Sequence, residues 1–228
     1  MTSKNQGKRF RPLKKGQIGE FDQAAQNANN NLTELTARTL LHTGLRNGEF
    51  AHMQSSWLAN ERMEGRPVLR IPAEEECIGG AGATGRGNPK GKNLHERGEP
   101  CYKCREGRDG SWEPKTQNSV RTLPIMEEEI YDSIEHWFRN NEQMPLLHEA
   151  VGKRVQQVAE AAEFSREVKP HDLRHTYGTM LARMGMSAHV ITAVMGHGTL
   201  DMALTYIQFV GRDIAREFNK KWDFDLYS

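Results

Sequence analysis

Beyond Pro124 the sequence repeats apolar residues at helical spacing almost to its end, and no other feature limits the possible folds as much. Met126 to Asn140 opens on Glu127, Glu128 and Glu129, which suit a helix N-terminus electrostatically, and lines one face with Ile130, Ile134, Trp137 and Phe138. His148 to Phe164 continues with Val151, Val155, Val158 and Ala162. Pro170 stands where a helix starts, ahead of His171 to Met184. Further helical stretches cover Ala188 to Met195, Leu200 to Phe209 and Asp213 to Trp222. Upstream, Gln17 to Thr43 is helical with a break at Asn29 to Asn31. Val68 to Ile71, between Pro67 and Pro72, reads as a short strand. Trp112 to Lys115 and Arg121 to Ile125 read as two strands joined by a polar turn. The expected fold class is mainly α with a small antiparallel β-sheet.

The chain has 228 residues, enough for one domain with its own core, and a formal net charge of +1. Mean hydropathy is −0.75, and no apolar run approaches the ~18 residues of a spanning helix. Met1 to Lys15 lacks the apolar stretch of a secretory signal. Three cysteines do not make a disulfide scaffold, so a reducing cytoplasm is expected. Taken whole, the near-neutral charge argues against a nucleic-acid binder. The local distribution differs: Lys4, Lys8, Arg9, Arg11, Lys14 and Lys15 stand in the first fifteen residues without an acidic one. That segment reads either as a solvated tail or as a basic arm lying along phosphates. The expected organisation is an arm over 1–15 and a domain over 16–228, interrupted by an insertion at about 74–110.

The insertion is rich in glycine and holds Cys77, Cys101 and Cys104, the last two as Cys-Tyr-Lys-Cys. A CxxC pair is half of a structural zinc site, with His95 the nearest candidate for a fourth ligand. Unligated thiols and redox use are the other readings of the same residues.

His171-Asp172-Leu173-Arg174-His175 is the sharpest local feature. On a helix, positions 171, 174 and 175 share a face, and two imidazoles beside a guanidinium call for something anionic opposite. A solvated His/Arg face is the plain alternative. A metal site is disfavoured, since HExxH is absent and an arginine is a poor neighbour for a cation. Gly196-His197-Gly198 follows, then Tyr206; each is unspecific by itself.

In order, these phrases are Thr43-Gly44-Leu45-Arg46-Asn47-Gly48-Glu49, Pro114-Lys115-Thr116 through Arg121-Thr122-Leu123-Pro124-Ile125, His171-Asp172-Leu173-Arg174-His175-Thr176, Met195-Gly196-His197 and Thr205-Tyr206. Together they resemble the tyrosine recombinase (phage integrase) family, whose signature is Arg…Lys…His-x-x-Arg…His/Trp…Tyr. The resemblance spans roughly residues 12 to 220.

The resemblance implies a catalytic domain that cleaves and rejoins double-stranded DNA through a 3′-phosphotyrosyl intermediate. It makes Tyr206 the nucleophile and His171 the candidate base, with Arg46 and Arg174 holding the non-bridging phosphate oxygens. Lys115 would be the acid on the leaving 5′-oxygen, with Lys90 and Lys92 as competitors, and His197 would bond the phosphate or position the tyrosine. Glu49 would orient Arg46, and His175 would be structural. Tyr177 lies near the same face but lacks the family context. Lys8, Arg9, Arg11, Lys14 and Lys15 would contact DNA. Catalysis would need no cofactor, leaving zinc only a structural part at Cys77, His95, Cys101 and Cys104. The partners implied are double-stranded DNA and a homotetramer assembled on it, monomeric when free, with no membrane. Members usually carry a further DNA-clamping domain, whereas only a basic arm precedes this one, so weak, salt-sensitive binding is expected. A non-catalytic DNA-binding regulator and a type IB topoisomerase-like enzyme are the alternatives.

Overall fold

The computed structural model describes residues 10–78, 100–107, 109–144 and 148–222. The helices are α1 (Lys15–Gln26), α2 (Asn31–Thr43), α3 (Asn47–Ala51), α4 (Tyr102–Gly107), α5 (Glu128–Phe138), α6 (His148–Ala161), α7 (Pro170–Arg183), α8 (Ala188–Met195) and α9 (Leu200–Trp222). The strands are β1 (Leu58–Met63), β2 (Arg66–Ile71), β3 (Glu75–Glu76), β4 (Ser111–Trp112) and β5 (Arg121–Pro124). The expected class, mainly α with a small antiparallel sheet, is what forms.

The fold is organised around α2. Its Asn30 cap accepts from the Leu32 and Thr33 amides, and Leu35, Ala37, Leu40 and Leu41 are buried together with several threonines. A helix covered on nearly all sides must bond its own polar groups. Thr36 and Thr43 do so by returning their hydroxyls to the carbonyls of Leu32 and Thr39. Helices α1, α5, α6 and α7 pack around it. A second apolar cluster, comprising Tyr177, Leu181, Ile191, Met195, Ala203 and Tyr206, joins α7, α8 and α9.

The three-stranded sheet has the order β1-β2-β5 and is antiparallel throughout, with Leu69 opposite both Leu58 and Leu123. Its β5 end packs on α8, which brings the loop before β5 to the N-terminus of α3.

Two expectations about elements are corrected. Trp112 and Arg121 do not belong to one hairpin: β4 pairs with β3, Trp112 opposite Glu75, while β5 pairs with β2. The cause is packing, because Trp112 is drawn under Trp57 and His52, with ring centroids 5.0 and 5.5 Å away. Lys115 therefore lies in an irregular link and not on a strand. The expected separate helices over Leu200–Phe209 and Asp213–Trp222 are one helix, α9, running through Gly211. A single interior glycine costs a helix only about 1 kcal/mol.

Candidate active site

Two helix C-termini aim their last carbonyls at two arginines. α2 ends on Gly44 and α8 on Gly196, both left-handed at φ 62°. A Cβ at Gly44 would stand 2.4 Å from Tyr177 Cδ1, and one at Gly196 would stand 2.9 Å from the Asn118 carbonyl, so glycine is required at both ends on two counts. Arg174 Nη1 donates to the Gly44 carbonyl at 2.6 Å, and its Nη2 donates to the Met195 carbonyl. Arg46 Nη2 donates to the Gly196 carbonyl at 2.7 Å. Cations at helix C-termini are favoured by the terminal partial charge.

Glu49 holds the arginines in a group. Its carboxylate accepts from the Arg46 backbone at 2.8 Å and from Arg46 Nη1 at 2.7 Å, closing the first turn of α3. The same carboxylate accepts both Nη atoms of Arg121 at 3.0 Å. Burial alone would raise the Glu49 carboxyl, but Arg121, with Arg174 and Arg46, holds it down at about 2. Two guanidiniums share one carboxylate and that of Arg174 acts on it electrostatically, which leaves surplus positive charge around Glu49. The expected salt bridge from Glu49 to Arg46 is present. Arg121 and Ser119 stand in the family-like phrase without an expected role at the site, yet Arg121 Nε donates to the Val194 carbonyl at 2.7 Å and Ser119 Oγ accepts from Arg46 Nη1 at 2.9 Å. A signal existed: strand alternation puts Arg121 two positions before buried Leu123, and an inward cation needs a partner.

Tyr206 lies beside this group, on the Ala203–Tyr206–Val210 stripe that α9 buries. It is 2% exposed. His175 Nδ1 is 3.2 Å from its hydroxyl oxygen, and the His197 ring stacks parallel to the phenol at 5.8 Å. Phe10 covers the ring from the arm side at 5.4 Å. Burial pushes the phenol up to about 12, against the pull of Arg174 and Arg46. Tyr206 is thus enclosed by its neighbours. His175, expected to be structural, is thus the imidazole in contact with the phenol.

Desolvation, then Arg174, Arg46 and Arg121, pull His197 down to about 3, so its ring is neutral at neutral pH. Its buried Nδ1 has no partner among the described residues. His171 is exposed and packs edge-on against His175 at 4.2 Å. Partial desolvation, and then Arg174, Arg46 and Lys115, lower it, with Asp172 opposing. Lys115 is exposed within electrostatic range of His171. Tyr177 is buried against Gly44. Of the basic arm, Arg11, Lys14 and Lys15 are exposed, while its backbone is anchored: the Leu13 amide donates to Thr176 Oγ1 at 2.8 Å and the Arg11 carbonyl accepts from Arg166 at 2.8 Å. Lys8, Arg9, Lys90 and Lys92 lie outside the described residues.

About the far end of α3, His52, Cys77, Cys101 and Cys104 gather with their ligand atoms within 4.8 Å of one another, all four buried. The fourth member of the group is His52, which no spacing along the chain singles out; His95, the expected fourth ligand, lies outside the described residues.

Residues 113–210 match the family model described as Phage integrase family. The tyrosine recombinase XerD of Staphylococcus saprophyticus subsp. saprophyticus is 26% identical over 83 residues, which are 36% of this chain and 28% of the relative's length. Among solved structures, XerH site-specific recombinase bound to palindromic difH substrate has a TM-score of 0.63 at 15% identity, over 97% of this chain and 56% of that one. XerA recombinase has 0.60 at 14% identity, over 96% and 66%. The catalytic domain of bacteriophage HP1 integrase has 0.51 at 18% identity, over 88% of each chain.

Proposed function

We propose that the chain, which matches the Phage integrase family model over residues 113–210 and has the fold of recombinase catalytic domains, is a tyrosine-type site-specific DNA recombinase or integrase. The observation that carries this reading is the surplus of guanidinium charge gathered by one carboxylate beside a sequestered tyrosine. A phosphodiester supplies the anion that such a cluster lacks.

In the proposed reaction Tyr206 Oη attacks a scissile phosphorus, the 5′-oxygen leaves, and the tyrosine keeps the 3′-phosphate for religation. Arg46 and Arg174 hold the non-bridging oxygens as charge builds on them. Lys115 protonates the leaving oxygen. His171 and His175, in ring contact, carry away the phenol proton. His197, neutral and with a spare ring nitrogen, bonds the phosphate. The chemistry assigns no part to a metal ion. Because a phenol at about 12 is inert and enclosed, cleavage requires the segment at Phe10 or the helix α9 to move when DNA binds.

The partner is double-stranded DNA, and the active assembly is a tetramer on two sites formed from free monomers. Ile214 on α9 is 62% exposed, apolar surface that a neighbouring copy would cover. A cytoplasmic location fits three free thiols. Among the described residues no helix is long and apolar enough to cross a membrane.

The test is incubation of the full chain with nicked suicide duplexes taken from the DNA flanking its own gene. A covalent protein–DNA adduct that disappears in Tyr206→Phe is expected. An adduct that persists in Y206F, or none on any duplex, overturns the assignment. Strand exchange between two sites, as opposed to relaxation alone, separates recombination from topoisomerase action.

A further inference from the structure

The geometry points to a structural Zn²⁺ site formed by His52 Nε2 and the sulfurs of Cys77, Cys101 and Cys104, which fixes the helix carrying Arg46 and Glu49. Two edges of the group already match a tetrahedral shell. His52 Nε2 lies 3.4 Å from Cys101 Sγ and 3.5 Å from Cys104 Sγ. A tetrahedron with Zn–S of ~2.3 Å and Zn–N of ~2.0–2.1 Å has an N···S edge of about 3.5 Å. Four protein ligands close that shell, which is the pattern of a structural site and leaves no position for water or substrate.

The surroundings orient the ligands. His52 Nδ1 is 2.9 Å from the Gly48 carbonyl. A carbonyl only accepts, so Nδ1 carries the ring proton and Nε2 turns its lone pair toward the sulfurs. The Cys101 amide donates to Cys77 Sγ at 3.4 Å. The Gly110 amide donates to the Cys104 carbonyl, while the Cys77 amide donates to the Gly110 carbonyl at 2.9 Å, tying the two ends of the insertion together. Trp112 stacks on the imidazole at an interplanar angle of 18° and keeps the site dry. On binding, the three thiols would release their protons to solvent, leaving Zn²⁺ with three thiolates and a neutral imidazole.

The consequence for function follows from position. His52 follows α3 directly; Glu49 and Arg46 occupy and precede the first turn of that helix. A five-residue helix is too short to hold itself, so one end is held by the Glu49–arginine group and the other by the metal. Zinc thereby acts at a distance as a positioning element for Arg46, while binding itself does not depend on what the active site does. The link to DNA cleavage rests on the recombinase reading.

Zinc content is measured by mass spectrometry on the full chain, expressed without a polyhistidine tag in zinc-containing medium, alongside the absorption spectrum after exchange for Co²⁺. About one zinc per chain is expected, with the thiolate charge-transfer and d–d bands of tetrahedral cobalt. His52→Ala and Cys104→Ser should lose the metal, His95→Ala should keep it, and His52→Cys should retain it as a four-cysteine site. The last variant guards against simple misfolding. Tyr206→Phe should keep zinc while losing any DNA adduct, so the two readings fail separately. Zinc retained by H52A and lost by H95A, or a chain free of zinc with two of its cysteines disulfide-bonded, would overturn the site.

Discussion

Glu49 shows how one residue can set both the stability and the charge of a site. Its folded carboxyl sits at about 2 against an ordinary 4.5. A lowered acid stabilises the fold above the unfolded value and loses that contribution as the pH falls toward the folded one. The shift corresponds to about 3 kcal/mol, present above pH 4.5 and lost progressively toward pH 2. Denaturant titrations at pH 6 and 2.5 should therefore show the wild type losing about 2–3 kcal/mol more than Glu49→Gln. Equal losses in the two proteins would remove Glu49 from this part. At neutral pH, E49Q leaves the buried Arg121 and the half-buried Arg46 beside a neutral amide, at a cost of about 3–5 kcal/mol. His197 adds to acid lability in a higher window. Its folded value near 3 favours the neutral ring, so the unfolded chain takes up its proton first as the pH falls below 6.5.

At the scale of elements, α7 and α9 meet closely because Gly178 has no side chain. A Cβ there would stand 2.7 Å from Tyr206 Cε1 and Cζ. Gly178→Ala should force the tyrosine ring outward, lowering stability by about 1–3 kcal/mol through overpacking, despite alanine's better helix propensity. The readouts are a fall in melting temperature and faster nitration of Tyr206, located by peptide mapping. Unchanged nitration with an unchanged melting temperature would mean that the two helices adjust freely. Helix existence was legible from the 3.6-residue apolar period, since that pattern is local. The pairing of β4 with β3 was not, because a two-residue strand carries no period and its partner is chosen by the burial of Trp112.

For the whole molecule, the +1 total conceals an uneven distribution, with the guanidinium group inside and the exposed Arg11, Lys14 and Lys15 on the arm. DNA binding by this chain should be weak and steeply salt-dependent. Each basic residue that contacts a phosphate contributes roughly one unit to the slope of log K against log salt. The variant R11A/K14A/K15A should flatten that slope by up to about 3 units in a fluorescence-anisotropy titration. An unchanged slope would exclude the arm from the contact, and tight binding at several hundred millimolar salt would contradict the expectation for the whole chain. The sequence by itself determined the helical class and the order of Arg46, His171, Arg174, His197 and Tyr206, because helical period and motif spacing are written along the chain. Only the tertiary structure decided that Arg121 shares Glu49 with Arg46, that His175 meets the Tyr206 hydroxyl, that Phe10 encloses the phenol, and that His52 joins cysteines 25 to 52 positions away. Those contacts join segments remote in sequence, and they form where packing leaves a buried charge or lone pair needing a partner.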